Sequence, residues 1–200
     1  MKEALDLEDK QKYKAAIKVL NETIESYPKL VDAYLSRGAD KSALNDYNGA
    51  ITDYNEALKL SPKNTLALYN IGNNYKRLNN NLMAISFYNK AFATKGSDKI
   101  YSDMKPNSFV ETSNFDVEGY AIFYERGLAY YKIDSLRKAF SDFRNCINSN
   151  YQVKESYYFL GTIHKAYQSK KRACECFLKS AQFGDKDADI ELKNYCNAPK

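Results

Sequence analysis

The chain has no tryptophan and a single histidine, His164. Any histidine-dependent triad would rest on that one residue, and a two-histidine metal site is excluded within the sequence. Glycine and proline are scarce, at eight and four, which is roughly half their usual joint share. With so few obligatory turn-makers, long helices are expected. Cysteine occurs only at Cys146, Cys174, Cys176 and Cys196. Four in the last third of the chain are too few and too clustered for a disulfide-stapled small domain, so a reducing compartment, the cytoplasm, is expected. No window approaches the ~20 apolar residues of a membrane span. The opening Met1-Lys2-Glu3-Ala4-Leu5-Asp6 carries acids where a secretory signal needs an unbroken apolar stretch. Glycine-rich phosphate loops and nucleophile elbows are also missing. No catalytic residue, metal ligand or cofactor site can be named from these gaps, and the chain reads as a non-enzyme. A net charge of +5 with both signs intermixed supplies no basic stripe of the kind that tracks nucleic acid.

What the chain does have is rings, 18 tyrosines and 10 phenylalanines, and a period. Gly38 and Gly72 are 34 residues apart, as are Gly127 and Gly161, and the gap from Gly72 to Gly127 equals one period plus an insertion of 21. Twelve residues after each glycine stands an alanine (Ala50, Ala84, Ala139, Ala173). Sixteen after stands a ring (Tyr54, Tyr88, Phe143, Phe177), and nineteen after a small residue (Ala57, Ala91, Cys146, Ser180). One period before Gly38 the frame finds Ala16 and Pro28, so a truncated fifth repeat opens the chain. A glycine at a helix crossing lets two backbones approach, and a ring in the neighbouring helix fills the space it leaves. Apolar spacing within each unit predicts two amphipathic helices, with turns at 44–46, 78–81 and 133–135, where asparagine suits the left-handed conformation. Pro62 ends the second helix of its repeat.

This pattern resembles the tetratricopeptide repeat (TPR) family, whose 34-residue helix-turn-helix carries a small residue in the first helix, Ala and an aromatic in the second, and Pro near its end. The likeness runs over nearly the whole chain, with Gly96, Tyr151 and Asp185 in place of the proline. It implies an all-α, right-handed α-solenoid of about five helix-turn-helix repeats with a C-terminal capping helix, in one domain over 1–198. The repeats are placed at about 1–30 (partial), 31–64, 65–98, 120–153 and 154–187, with an insertion at 99–119 and the cap at 188–198. In the cap Ile190, Leu192 and Tyr195 are expected to dock.

Two candidate constellations read as packing. Cys174 and Cys176, two apart on a helix, point away from each other and cannot share an ion, so both are assigned to helix packing. His164 occupies a packing column. The resemblance places the remaining candidate site on the first helices, which line a concave groove. There the register brings Leu35, Tyr69, Tyr124 and Tyr158 into one column, and Asn73, Leu128 and Thr162 into a second. Lys76, Tyr131 and Lys165 with Arg77 and Lys132 make the neighbouring pair. Rings and cations on one wall would suit a peptide with an aromatic or aliphatic anchor beside a carboxylate. Some TPR proteins clamp an acidic C-terminal tail of chaperones. At the corresponding positions this chain has Leu35, Ala39, Asn70, Ala121 and Glu125, of which only Asn70 matches, so that ligand is disfavoured.

The expected function is therefore a scaffold or adaptor that takes a peptide segment of another protein in the groove. The alternative is a regulatory or assembly subunit docking on an enzyme or secretion complex through its convex face or the 99–119 insertion. That insertion is too apolar for a free linker and is expected to pack locally. Nucleic acid is disfavoured as a partner, and self-association is left open.

Overall fold

The computed structural model describes residues 1–94 and 117–197. Most of the 99–119 insertion, and with it the expected local packing, lies outside the described residues. The chain forms two compact units, Met1–Gly119 and Tyr120–Lys200. In the first, six helices follow one another: α1 (Lys2–Glu8), α2 (Tyr13–Ser26), α3 (Val31–Ala43), α4 (Tyr47–Leu60), α5 (Thr65–Arg77) and α6 (Asn81–Phe92). The second contains α7 (Gly119–Lys132), α8 (Leu136–Asn148), α9 (Val153–Ala166), α10 (Lys170–Gln182) and α11 (Lys186–Glu191), followed by a π-helical turn at Leu192–Cys196. Within each unit helices pack chiefly on their sequence neighbours, and α3 also touches α5. This is the nearest-neighbour stacking of a repeat solenoid.

The turns show why the helices break where they do. Gln11, Asn45, Asn79, Asp134 and Gln168 all adopt positive φ, between 54° and 65°, and share one register. The residue after each is the N-cap of the next helix. Asp46 and Asn80 cap that helix through their side chains, accepting N–H bonds from Gly49 (2.9 Å) and Met83 (3.2 Å). Asn64 caps α5 in the same way, accepting from Ala67 at 2.8 Å.

The repeated columns form the cores. Ala16, Ala50, Ala84, Ala139 and Ala173 are all fully buried, as are Ala57, Ala91, Cys146 and Ser180. Tyr54, Tyr88, Phe143 and Phe177 are buried knobs set against the repeat glycines. A Cβ on Gly161 would lie 2.5 Å from the Phe177 ring, and one on Gly72 2.6 Å from the Tyr88 ring. Such approaches exclude any side chain without displacement.

Two further contacts tie first helices to second ones. Arg37 donates to both Asp53 oxygens (3.0 and 2.7 Å), and Lys41 adds a third bond at 2.8 Å. Arg126 grips Asp142 identically (2.8 and 2.8 Å). Burial pushes the Asp142 carboxyl above its ordinary range while Arg126 pulls it back, so the fork is what makes that buried charge tolerable.

Candidate functional site

Three of the four residues in the first groove column share one environment. Tyr69, Tyr124 and Tyr158 are each half-buried, and each leans on the knob ring of its own repeat. Ring centroids are 6.0 Å apart for Tyr69 and Tyr88, 6.2 Å for Tyr124 and Phe143, and 5.9 Å for Tyr158 and Phe177. Edge and tilted contacts of this kind fix ring orientation while leaving part of the ring accessible. Tyr131, one turn on from Leu128, packs edge-on to Phe159 at 5.2 Å. Burial pushes the Tyr124 hydroxyl well above the ordinary tyrosine range, assisted by the Glu155 and Glu125 carboxylates. Tyr158 is raised for the same primary reason, with Asp187 next. Both hydroxyls therefore stay protonated and available as donors.

The fourth member of the column is different. Leu35 is only 7% exposed and lies in the core with Ile51, Tyr54 and Ile71; without a ring to stand off the surface, its side chain is drawn under the neighbouring helices. It is a core residue rather than a lining residue.

The polar candidates divide between engaged and exposed. Asn73 accepts a hydrogen bond from the Tyr88 hydroxyl at 2.7 Å, so it holds the knob. The Asn70 carbonyl accepts from Asn74 at 2.7 Å, and its side chain bonds to Tyr54. Thr162 donates to the Phe159 carbonyl at 2.8 Å, and Leu128 packs on the second unit's core. Lys76 is half-buried, whereas Arg77 and Lys132 are exposed; Arg77 sits 5.9 Å over the Tyr47 ring. Lys165 is occupied by the chain itself. Its ammonium donates to Glu191 at 2.6 Å and lies 4.8 Å from the Tyr195 ring, both residues of the C-terminal cap.

The cap departs from expectation at two points. Leu192, Tyr195 and Cys196 pack against Phe177 and Ala188, but Ile190 is 54% exposed; two residues beyond the buried Ala188, it falls on the opposite face of its helix. Cys174, assigned to packing, is bonded to Cys196. The two-residue spacing to Cys176 is irrelevant to it, because the partner comes from the cap. Cys146 and Cys176 remain thiols, and burial pushes Cys146 up to about 12, where it is unreactive. His164 is half-buried with its ring edge-on to Phe140 at 5.3 Å, and desolvation and Arg172 hold it below its ordinary range. The Arg37–Asp53 and Arg126–Asp142 forks were legible as a shared register but lie outside the columns that define the repeat.

Among the described residues no group of His, Cys, Asp and Glu could hold a metal ion, and no helix is long and apolar enough to cross a membrane. Residues 42–79 match a TPR repeat model and residues 66–97 a second tetratricopeptide repeat model. No curated protein matches the chain in sequence. Among solved structures, that of MamA is similar at a TM-score of 0.75 and 18% identity, covering 93% of this chain and 96% of its own. YrrB, described as a TPR protein with an unusual peptide-binding site, gives 0.72 and 16% over 95% of this chain and 88% of its own. PilW, described as a widely conserved type IV pilus biogenesis factor, gives 0.68 and 17% over 98% of this chain and 92% of its own. The repeat models, the glycine and ring columns and these shared folds lead to one conclusion: the chain is a tetratricopeptide-repeat protein, an all-α solenoid.

Proposed function

We propose that the chain is a non-enzymatic protein-interaction scaffold that binds a peptide segment of a partner on the first-helix faces of its repeats. The observation that carries this reading is the tyrosine column. Tyr69 in the first unit and Tyr124 and Tyr158 in the second are braced from behind by a buried ring and are only half-buried. Packing does not require a hydroxyl there, and a fixed ring loses little entropy when a ligand covers it. Tyr131 extends the surface in the second unit, and Lys76 and Arg77, about two turns beyond Tyr69 on α5, add cations in the first.

Peptides selected from a displayed library against the immobilised chain test this reading. Their affinity should fall by roughly tenfold or more in the Tyr124→Ala/Tyr158→Ala double variant or in Tyr69→Ala. Helicity is checked by circular dichroism in each case. If every selected peptide binds these folded variants as tightly as the unaltered chain, the tyrosine surface is not the binding surface.

A further inference from the structure

The second unit contains a cleft that neither the repeat packing nor the tyrosine surface uses. It measures about 460 Å³ and is lined by Arg137 and Phe140 of α8, His164 and Tyr167 at the end of α9, and Ser169 and Arg172 at the start of α10. That volume falls in the range of roughly 300–1,000 Å³ typical of ligand pockets. Phe140 and His164 form the floor, edge to face at 5.3 Å, and Tyr167, 58% exposed, forms a wall. The charged lining residues are both arginines, and the Glu175 carboxylate on α10 also acts on His164. Arg137 and Arg172 are exposed, and neither forms an ion pair or a hydrogen bond with any described residue. This contrasts with Arg37 and Arg126, which are spent on buried aspartates.

The first unit provides an internal control. At the equivalent register it has Asn48, Ile51, Tyr75, Leu78, Asn80 and Met83, and the helix pair forms without any charge there. The fold therefore does not need Arg137, His164 or Arg172 at these positions. A pair of unengaged guanidiniums lining the same cleft as three rings is suited to a planar anion attached to an apolar body. The size of the cleft admits one large side chain with its neighbouring acid. Lys138, Lys170 and Lys171 adjoin the two arginines in sequence, so an oligonucleotide of equal charge is the competitor that the test must include.

We infer that this cleft docks an acidic segment of a partner protein, with an aromatic or aliphatic side chain against Phe140 and Tyr167 and an adjacent carboxylate between Arg137 and Arg172. The site is separate from the tyrosine surface, and its failure would leave that reading standing.

The composition makes the test clean. With no tryptophan in the chain, a synthetic peptide of Asp and Glu around one Trp can be followed by its own fluorescence. Its twin with Asn and Gln in place of the acids serves as control. With a single histidine, the His164 ring resonances report on the cleft itself. The acidic peptide should bind saturably, shift the His164 signals, and weaken as salt rises. Affinity should drop by roughly tenfold or more in Arg137→Glu/Arg172→Glu, and less in Arg137→Gln/Arg172→Gln. Both variants alter exposed side chains, and helicity verifies their folding. Tyr124→Ala/Tyr158→Ala should bind as the unaltered chain does. The inference is overturned if the twin binds equally well, if the charge reversal leaves affinity unchanged, if His164 does not respond, or if only a single-stranded oligonucleotide of equal charge binds.

Discussion

Gly127 and Gly161 occupy the same register in successive repeats of one unit, yet replacing each with alanine should have different effects on stability. Alanine inside a helix gains about 1 kcal/mol over glycine. Against that stands the collision of the new methyl group. On Gly161 a Cβ falls 2.5, 2.6 and 3.0 Å from three atoms of the Phe177 ring. That ring is fully buried and backed by Tyr158, so it cannot swing aside and the two helices must part. Overpacking of this kind costs about 1–3 kcal/mol, and Gly161→Ala should lose up to about 2 kcal/mol net. On Gly127 the nearest atoms are 3.2 Å away, Asp142 Cβ and Phe143 Cε1. A shift of a few tenths of an ångström relieves these, so Gly127→Ala should be neutral or slightly stabilising. The gap between the two variants, about 2 kcal/mol, corresponds to roughly 1 M in urea midpoint at the slope usual for a small protein. Circular dichroism of the full chain measures it. A cycle with Phe177→Leu should recover much of the Gly161→Ala loss, because the smaller side chain vacates the space. Equal midpoints for the two alanine variants, or no recovery in the cycle, would refute the argument.

Two other perturbations have a defined sign. Asp40 is buried on α3 with one carboxylate oxygen unpartnered. Desolvation, then the Glu8 charge, pushes its pKa from 3.8 up to about 7. Because the unfolded chain ionises first as pH rises, Asp40 costs the fold stability progressively between those two values and levels off above them. Asn74 fills the same register one repeat later, so Asp40→Asn should match the unaltered chain at the acid end and exceed it above the upper value. An Asn variant with an unchanged pH profile of urea midpoints would contradict this. The Cys174–Cys196 bond closes a loop of sequence separation 22, which chain entropy values at about 3 kcal/mol. Protein isolated without reductant should titrate two thiols when denatured and four after reduction. Cys196→Ser should speed amide exchange in Ala188–Cys196 while leaving α8 protected, and unaltered exchange in the cap would show that the bond contributes little.

The repeat was readable because its columns are steric. Nothing larger than glycine fits against the Phe177 ring, and nothing but a large apolar ring fills the space that glycine leaves. A period of 34 in those residue types therefore fixes which helix packs on which. The left-handed turns were equally visible at Asn45 and Asn79, and the structure extends them to Gln11, Asp134 and Gln168. At these three the residue type gives weaker notice of positive φ, and position in the repeat gives more. The Arg–Asp forks were passed over for the opposite reason. At their register the other repeats carry Ile71 with Phe87 and Leu160 with Cys176, so the position accepts a salt bridge or an apolar pair, and a search for sameness finds no column. Cys196 lies beyond the last repeat, where periodicity has nothing to say about its partner.

The proposed binding surface was legible only in part, because register tells which face of a helix a residue is on but not what else reaches that face. Leu35 and Tyr69 share a register, and the difference between core and surface comes from side-chain length: the aliphatic group fits under its neighbours and the ring does not. Lys165 had the right position for an anion contact, but the cap lays Glu191 and Tyr195 across it. Both effects remove predicted residues, and neither touches Tyr124, Tyr131 or Tyr158. The arginines of the second unit sharpen the same distinction. Arg126 is committed to Asp142 by burial, where leaving the aspartate alone would cost about 3 kcal/mol or more. Arg137 and Arg172 line a cleft shared with rings and have no such obligation. A guanidinium that the fold does not use, beside an apolar cleft the fold does not fill, is the arrangement in which an external carboxylate has most to gain.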